Sequence, residues 1–195
     1  MNKITNILFV GVGGQGTILA SNILSKGLMD AGYDVKMSEV HGMAQRGGSV
    51  STQIRFGEKV YSPLISQNEA DFILAFEKIE AARWLDYLNP QGFLIINEHE
   101  IYPTTVLTGE SKYPHDIIER IKEKVKNCIV VDATSKAIEL GNIKVQNIIL
   151  LGILIGLLNL NNIDWEKIIK DLLPEKIQQI NLIAFNNGLA ISRNK

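Results

Sequence analysis

Two short stretches hold most of the residues able to do chemistry. Gly11-Val12-Gly13-Gly14-Gln15-Gly16 follows the apolar run Ile7-Leu8-Phe9-Val10, and a second glycine-rich segment runs from Ser38 to Ser49 and contains His41-Gly42-Met43-Ala44-Gln45-Arg46-Gly47-Gly48. A glycine turn between a strand and a helix leaves the amides at the helix N-terminus open to a ligand, and the helix dipole there favours an anion. Gln15, His41, Gln45 and Arg46 add donors, and the guanidinium fork of Arg46 suits phosphate or carboxylate. Gly47 and Gly48 let the backbone lie flat against a bound group. The spacing G-x-G-x-x-G at Gly11, Gly13 and Gly16 is unspecific by itself. Glycines that serve only tight strand–helix packing explain the first motif equally well; the second loop tips the balance toward a site.

Other candidates are weaker. Glu39 lies about 20 residues beyond the first turn, where an acid reads the ribose of NAD in dinucleotide-binding folds. A loop with three glycines follows it, however, and then a hairpin rather than a crossover helix, so NAD binding is the minor reading. His41 suits a loop hydrogen bond better than acid–base work. His99 and His115 have neighbouring acids but no metal-ligand spacing, and Ser38 and Ser49 lack a nucleophile context. Glu77 and Glu80 open a helix, where acids suit the dipole. Cys128, the single cysteine, sits in Cys128-Ile129-Val130-Val131 and reads as a strand thiol. One thiol cannot hold an iron–sulfur cluster or close an internal disulfide.

The elements that position these residues follow from periodicity. Strands are expected at 6–10, 34–40, 50–56, 71–76, 93–97 and 128–132. Gly57-Glu58 should fold 50–56 back onto Lys59-Val60-Tyr61 as a hairpin. Helices are expected over 17–31 with Gly32 as C-cap, and over 78–88 and 113–126. They continue over 135–140, 145–158, 165–173 with Asp164 as N-cap, and 176–187 ending at Gly188. Asp116 and Arg120 are spaced to pair weakly. Strands alternating with helices give an open, mostly parallel, Rossmann-like α/β sheet with an inserted β-hairpin and a helical C-terminus. In such a sheet both glycine loops fall on the edge formed by the strands' carboxyl ends. The segment 145–158 is apolar almost all round and carries Gly152 and Gly156 four residues apart, so it is either the central core helix or a subunit interface.

The chain has 195 residues and reads as one domain over 1–195. It is 46% hydrophobic and 21% charged with net charge −1, so no basic stripe supports nucleic-acid or anionic-membrane binding. The longest apolar run falls short of the roughly 20 residues a membrane span needs, no secretory leader is evident, and a cytoplasmic location is expected.

Taken together, Gly11–Gly16, Ser38 through Arg46-Gly47-Gly48, and Asn147 through Leu151-Gly152 resemble the gamma-type domain of the 2-oxoacid:ferredoxin oxidoreductases, over nearly the whole chain. The form His41-Gly42-Met43-Ala44-Gln45-Arg46-Gly47-Gly48 is most similar to the beta subunit of the indolepyruvate branch; pyruvate and 2-oxoglutarate relatives carry a tyrosine-glycine version. The resemblance implies an enzyme complex in which an aryl 2-oxoacid, coenzyme A and oxidised ferredoxin give an acyl-CoA, carbon dioxide and reduced ferredoxin, a step of aromatic amino acid catabolism. It implies thiamine diphosphate, magnesium and iron–sulfur clusters on a larger alpha subunit, with this chain holding none of them and meeting ferredoxin only indirectly. The site residues so implied are Gly11, Gly13, Gly14, Gln15, Gly16, His41, Gln45, Arg46, Gly47 and Gly48, as contacts to substrate, coenzyme A or partner rather than proton shuttles. A free-standing NAD-linked oxidoreductase and a non-enzymatic assembly subunit are the alternatives.

Overall fold

The computed structural model describes residues 4–42 and 47–193. Six strands form one sheet: β1 (Thr5–Val12), β2 (Asp34–His41), β3 (Ser49–Gly57), β4 (Ala70–Ala75), β5 (Leu88–Asn97) and β6 (Cys128–Val131), in the order β2-β3-β1-β4-β5-β6. β1, β4, β5 and β6 run parallel, and β3 is antiparallel to both of its neighbours, β1 and β2.

Side-chain alternation along the strands builds two cores. Ile7, Phe9, Leu74, Phe76 and Ile95 face one layer, which contains α1 (Thr17–Asp30), α5 (Ala133–Glu139), α6 (Gln146–Leu157), α7 (Trp165–Leu172) and α8 (Glu175–Arg193). Leu8, Val10, Ile73, Ala75, Leu94 and Ile96 face the other, formed by α2 (Lys78–Arg83) and α4 (Ile117–Lys124). A further short helix, α3 (Thr104–Leu107), has no counterpart among the helices expected from periodicity.

The antiparallel hairpin exists but joins other strands than expected. β2 and β3 pair in register from Asp34↔Gly57 to His41↔Val50, while residues 58–61 form no strand. Asp34 holds that segment by accepting from the Val60 amide at 2.9 Å, and Arg55 Nη1 donates to the carbonyls of Ser62 and Leu64. β3 is therefore interior and largely buried on both faces.

Helix ends differ as well. The expected 78–88 helix stops at Arg83 and passes into a 3-10 turn, Leu85–Tyr87; the 113–126 helix shortens to Ile117–Lys124, without an Asp116–Arg120 ion pair among the described residues. Asp164 caps α7 as expected, its side chain accepting from the Lys167 amide. α8 does not end at Gly188 but runs on to Arg193. Gly188 is there because α8 crosses α6: a Cβ on it would lie 2.1 Å from the Ile149 carbonyl oxygen, and one on Gly152 2.4 Å from that of Phe185. Ile148–Leu151 and Ile153–Ile155 are wholly buried within the chain. The apolar helix is thus core, and its close-approach glycines meet α8.

Candidate functional site

Register brings the two glycine loops together. The end of β1 pairs with the start of β3 at Val12↔Ser49, and the end of β2 with the same point at His41↔Val50. The Gly13 amide donates to the Gly48 carbonyl at 2.9 Å, and the Gly47 amide to the Gly13 carbonyl at 3.5 Å. Two segments about 30 residues apart in sequence thus share one edge, as expected for the ligand edge of an α/β sheet.

Beside them lies a cleft of about 430 Å³. Its floor is the β2–β3 face under α1, because directly paired residues share a face. Phe9, Thr52 and Glu39 form one cross-strand row, and Gly11, Val50 and His41 the next. Glu39, His41, Val50 and Thr52 therefore line the cleft opposite Gly13, Gly14, Gly16 and Thr17. The first turn of α1 has no side-chain cap and no acidic residue, so its amides keep their preference for an anion.

The expected site residues divide into two groups. Gly13, Gly14, Gly16 and His41 line the cleft, and Gly47 and Gly48 border it through their bonds to Gly13. Gly14 is exposed with φ +104° and nothing within 4 Å of where a Cβ would stand, as an approach surface requires. Gly11 and Gln15, by contrast, are buried. A Cβ on Gly11 would press on Gln15 Oε1 at 2.8 Å and on Phe76 Cβ at 3.0 Å. Gln15 spends its amide on the fold: Oε1 accepts from the Val12 amide at 2.8 Å, and Nε2 donates to the Phe76 carbonyl at 2.9 Å. Gln45 and Arg46 lie outside the described residues.

Behind the edge stands a polar network for which sequence gave little warning. Asn97, wholly buried, accepts from the Ala133 amide at 3.0 Å and donates toward Gln146 Oε1 at 3.1 Å. Asn147 donates to the Gly16 carbonyl at 3.0 Å. Ser49 donates to Glu80 at 2.5 Å, fastening the foot of the second loop to α2. Burial pushes the Glu80 carboxyl above its ordinary range, against the lowering pull of Ser49 and Arg83. Glu77 caps α2 and accepts from the Tyr113 hydroxyl at 3.0 Å; burial, then the Glu77 charge, push that phenol upward. Both acids therefore work within the fold. A single Asn or Glu in sequence carries no sign of such partners, which come from segments tens of residues away.

No group of three or more potential metal-ligating side chains occurs among the described residues. The thiol of Cys128 is half-buried at the start of β6, and burial pushes it up, opposed weakly by Lys122. The donor set therefore does not fit an iron–sulfur cluster. The topology also argues against a dinucleotide fold. In that fold β2 lies directly beside β1; here β3 intervenes, which sets β2 about 10 Å from β1.

Fold and edge together define an α/β domain with a double glycine-loop cleft, an uncapped helix start and no metal set of its own among the described residues. Comparison narrows the class. Residues 6–191 match the family described as pyruvate ferredoxin/flavodoxin oxidoreductase. Over 193 residues, 96% of each chain, the sequence is 38% identical to a protein of Pyrococcus horikoshii named indolepyruvate oxidoreductase subunit IorB. In structure it resembles the gamma subunit of a keto/oxoacid ferredoxin oxidoreductase from Geobacter sulfurreducens, with TM-score 0.71 and 20% identity, covering 98% of this chain and 99% of that one. It also resembles a 2-oxoglutarate:ferredoxin oxidoreductase of Magnetococcus marinus, with TM-score 0.74 and 20% identity, covering all of this chain but 32% of that one. The chain belongs to the pyruvate ferredoxin/flavodoxin oxidoreductase family.

Proposed function

We propose that this chain is the non-cofactor subunit of an indolepyruvate-type 2-oxoacid:ferredoxin oxidoreductase, and that its glycine-loop cleft contacts coenzyme A at the junction with a larger subunit. The observation that carries the reading is the Gly13–Gly48 junction beside an uncapped α1. It offers backbone amides to an anion next to a cleft of suitable size, in a chain whose one cysteine cannot hold a cluster. The name of the Pyrococcus relative supports the indolepyruvate branch. The Magnetococcus structure, which has coenzyme A bound, supports the ligand class.

In the complex an aryl 2-oxoacid and coenzyme A give an acyl-CoA, carbon dioxide and a proton. Two electrons pass to ferredoxin. Thiamine diphosphate, magnesium and iron–sulfur clusters would reside on the larger subunit and supply the decarboxylation and electron transfer. This chain's residues bind and orient. The amides of Gly14, Gly16 and Thr17 meet phosphate oxygens, Glu39 accepts from a hydroxyl or amino group of the same ligand, and Arg46 adds a cationic contact. Proton transfer is assigned to none of them.

The test is reconstitution with the larger subunit from the same organism. Alone, the chain should show no 2-oxoacid-dependent dye reduction; with its partner it should oxidise indolepyruvate in preference to pyruvate and 2-oxoglutarate. Gly14→Phe should raise the KM for coenzyme A, because its ring would stand where the ligand lies. Turnover by the chain alone, or unchanged coenzyme A kinetics in Gly14→Phe, would overturn the reading.

A further inference from the structure

We propose that Asn147 is a positioning residue that holds the first glycine loop in its binding shape, acting through Gly16; the functional consequence rests on the coenzyme A reading above. Asn147 stands in the first turn of α6, 2% exposed and 131 positions from Gly16 in sequence. Its Nδ2 donates to the Gly16 carbonyl at 3.0 Å, and the same oxygen accepts the first bond of α1, from the Ala20 amide at 3.2 Å. Gly16 is left-handed, at φ 78° and ψ 25°. A Cβ there would lie 2.4 Å from Asn147 Nδ2, so the carboxamide occupies the space that a side chain on residue 16 would take.

The loop is thus gripped at both ends by buried carboxamides. Gln15 fixes it to the Val12 amide and the Phe76 carbonyl, and Asn147 fixes it to α6. Between the grips, Gly13 and Gly14 border the cleft.

Asn147 Oδ1 is buried and has no partner among the described residues. A buried acceptor left unbonded is costly, and an apolar side chain would avoid that cost in a helix whose next residues are Ile148–Leu151. What the carboxamide adds in return is its single bond to Gly16. Because α6 is core, the loop is referenced to the buried centre of the fold rather than to the exposed edge strand β2.

The test compares Asn147→Ala and Asn147→Leu with Asn97→Ala. The control removes another buried carboxamide, one bonded to Phe76, Thr134, Gln146 and Ala133 but to no glycine-loop residue. Amide hydrogen exchange is measured on the chain, and the KM for coenzyme A and kcat on the reconstituted complex. Loss of one hydrogen bond predicts exchange at Gly13–Thr17 roughly tenfold faster in both Asn147 variants, and KM for coenzyme A up about tenfold with kcat nearly unchanged. Asn97→Ala should change neither, even at equal loss of thermal stability. Loop exchange that is unchanged, or equally faster in Asn97→Ala, overturns the positioning role whatever happens to KM. Faster loop exchange with an unmoved KM keeps Asn147 as the loop's anchor and instead removes coenzyme A from the loop. Asn147→Leu keeps the core filled if the cavity left by Asn147→Ala unfolds the chain.

Discussion

Replacing Gly188 by alanine tests the α6–α8 crossing that makes the apolar helix core rather than interface. The added Cβ would stand 2.1 Å from the Ile149 carbonyl oxygen and 2.9 Å from Gly152 Cα, both backbone atoms. An ordinary contact begins near 3.4 Å, so the helices must separate by about 1 Å, and no rotamer change can relieve the clash. Overpacking costs about 1–3 kcal/mol, with backbone clashes at the upper end. The gain in helix propensity from glycine to alanine offsets about 1 kcal/mol. A net loss of about 2 kcal/mol lowers the Tm of a chain this size by about 4–8 °C. Gly156→Ala is the internal control. Its Cβ meets Ser192 Oγ at 1.9 Å, which can rotate away at the expense of its bond to the Leu189 carbonyl, and Ser192 Cβ at 2.7 Å, which cannot, so the backbone must yield by less than at Gly188. With the same propensity offset, its Tm should fall by clearly less than that of Gly188→Ala. Thermal and urea unfolding of both variants decide the matter. A Gly188→Ala chain as stable as wild type, or a Gly156→Ala chain that loses as much, would refute the crossing geometry. Normal stability with failed association of Gly188→Ala would return the helix to an interface.

Gln15→Ala should cost about 2–4 kcal/mol in unfolding free energy, since it orphans the buried Val12 amide and loses the bond to Phe76; a loss under about 0.5 kcal/mol would show that Gln15 is not the staple described. Glu80 has a raised pKa, so the folded chain holds its proton more tightly than the unfolded chain. Its contribution to stability is greatest below the ordinary value of 4.5 and falls as pH rises through the raised one. Glu80→Gln should therefore match wild type in acid and exceed it at neutral pH in Tm-versus-pH scans, and a parallel pair of curves would refute this. The chain purified alone should show no iron-type visible absorbance, because Cys128 is its single thiol; stoichiometric bound iron would contradict that. Arg46→Ala should lower activity of the reconstituted complex while moving stability by less than about 0.5 kcal/mol, and unchanged kinetic constants would remove Arg46 from the site.

Period and punctuation in the sequence determined the strands, most helices, the α/β class and the placing of both glycine loops on one edge. Those are local properties: the apolar run Ile7–Val10 can only be buried, and Gly13-Gly14 can only turn. The family, too, was legible, because both loops are contiguous motifs. The partner of β3 was not legible. The alternating run 50–56 suits antiparallel pairing with either flanking segment; it pairs with β2, and Asp34 ties the following segment down through the Val60 amide. The division of the site residues was likewise hidden, since glutamine reads as a free donor until Phe76 and Val12 are seen to use both ends of Gln15. Whether the apolar helix met another subunit or its own chain depended on Gly188, which ends a helix by local rules but here lets two helices touch. Asn147 and Gly16 fit each other across 131 positions. Sequence determined what most segments would become; only the tertiary structure decided which buried polar groups met, because hydrogen bonds between distant segments depend on register and crossing geometry that no local pattern encodes.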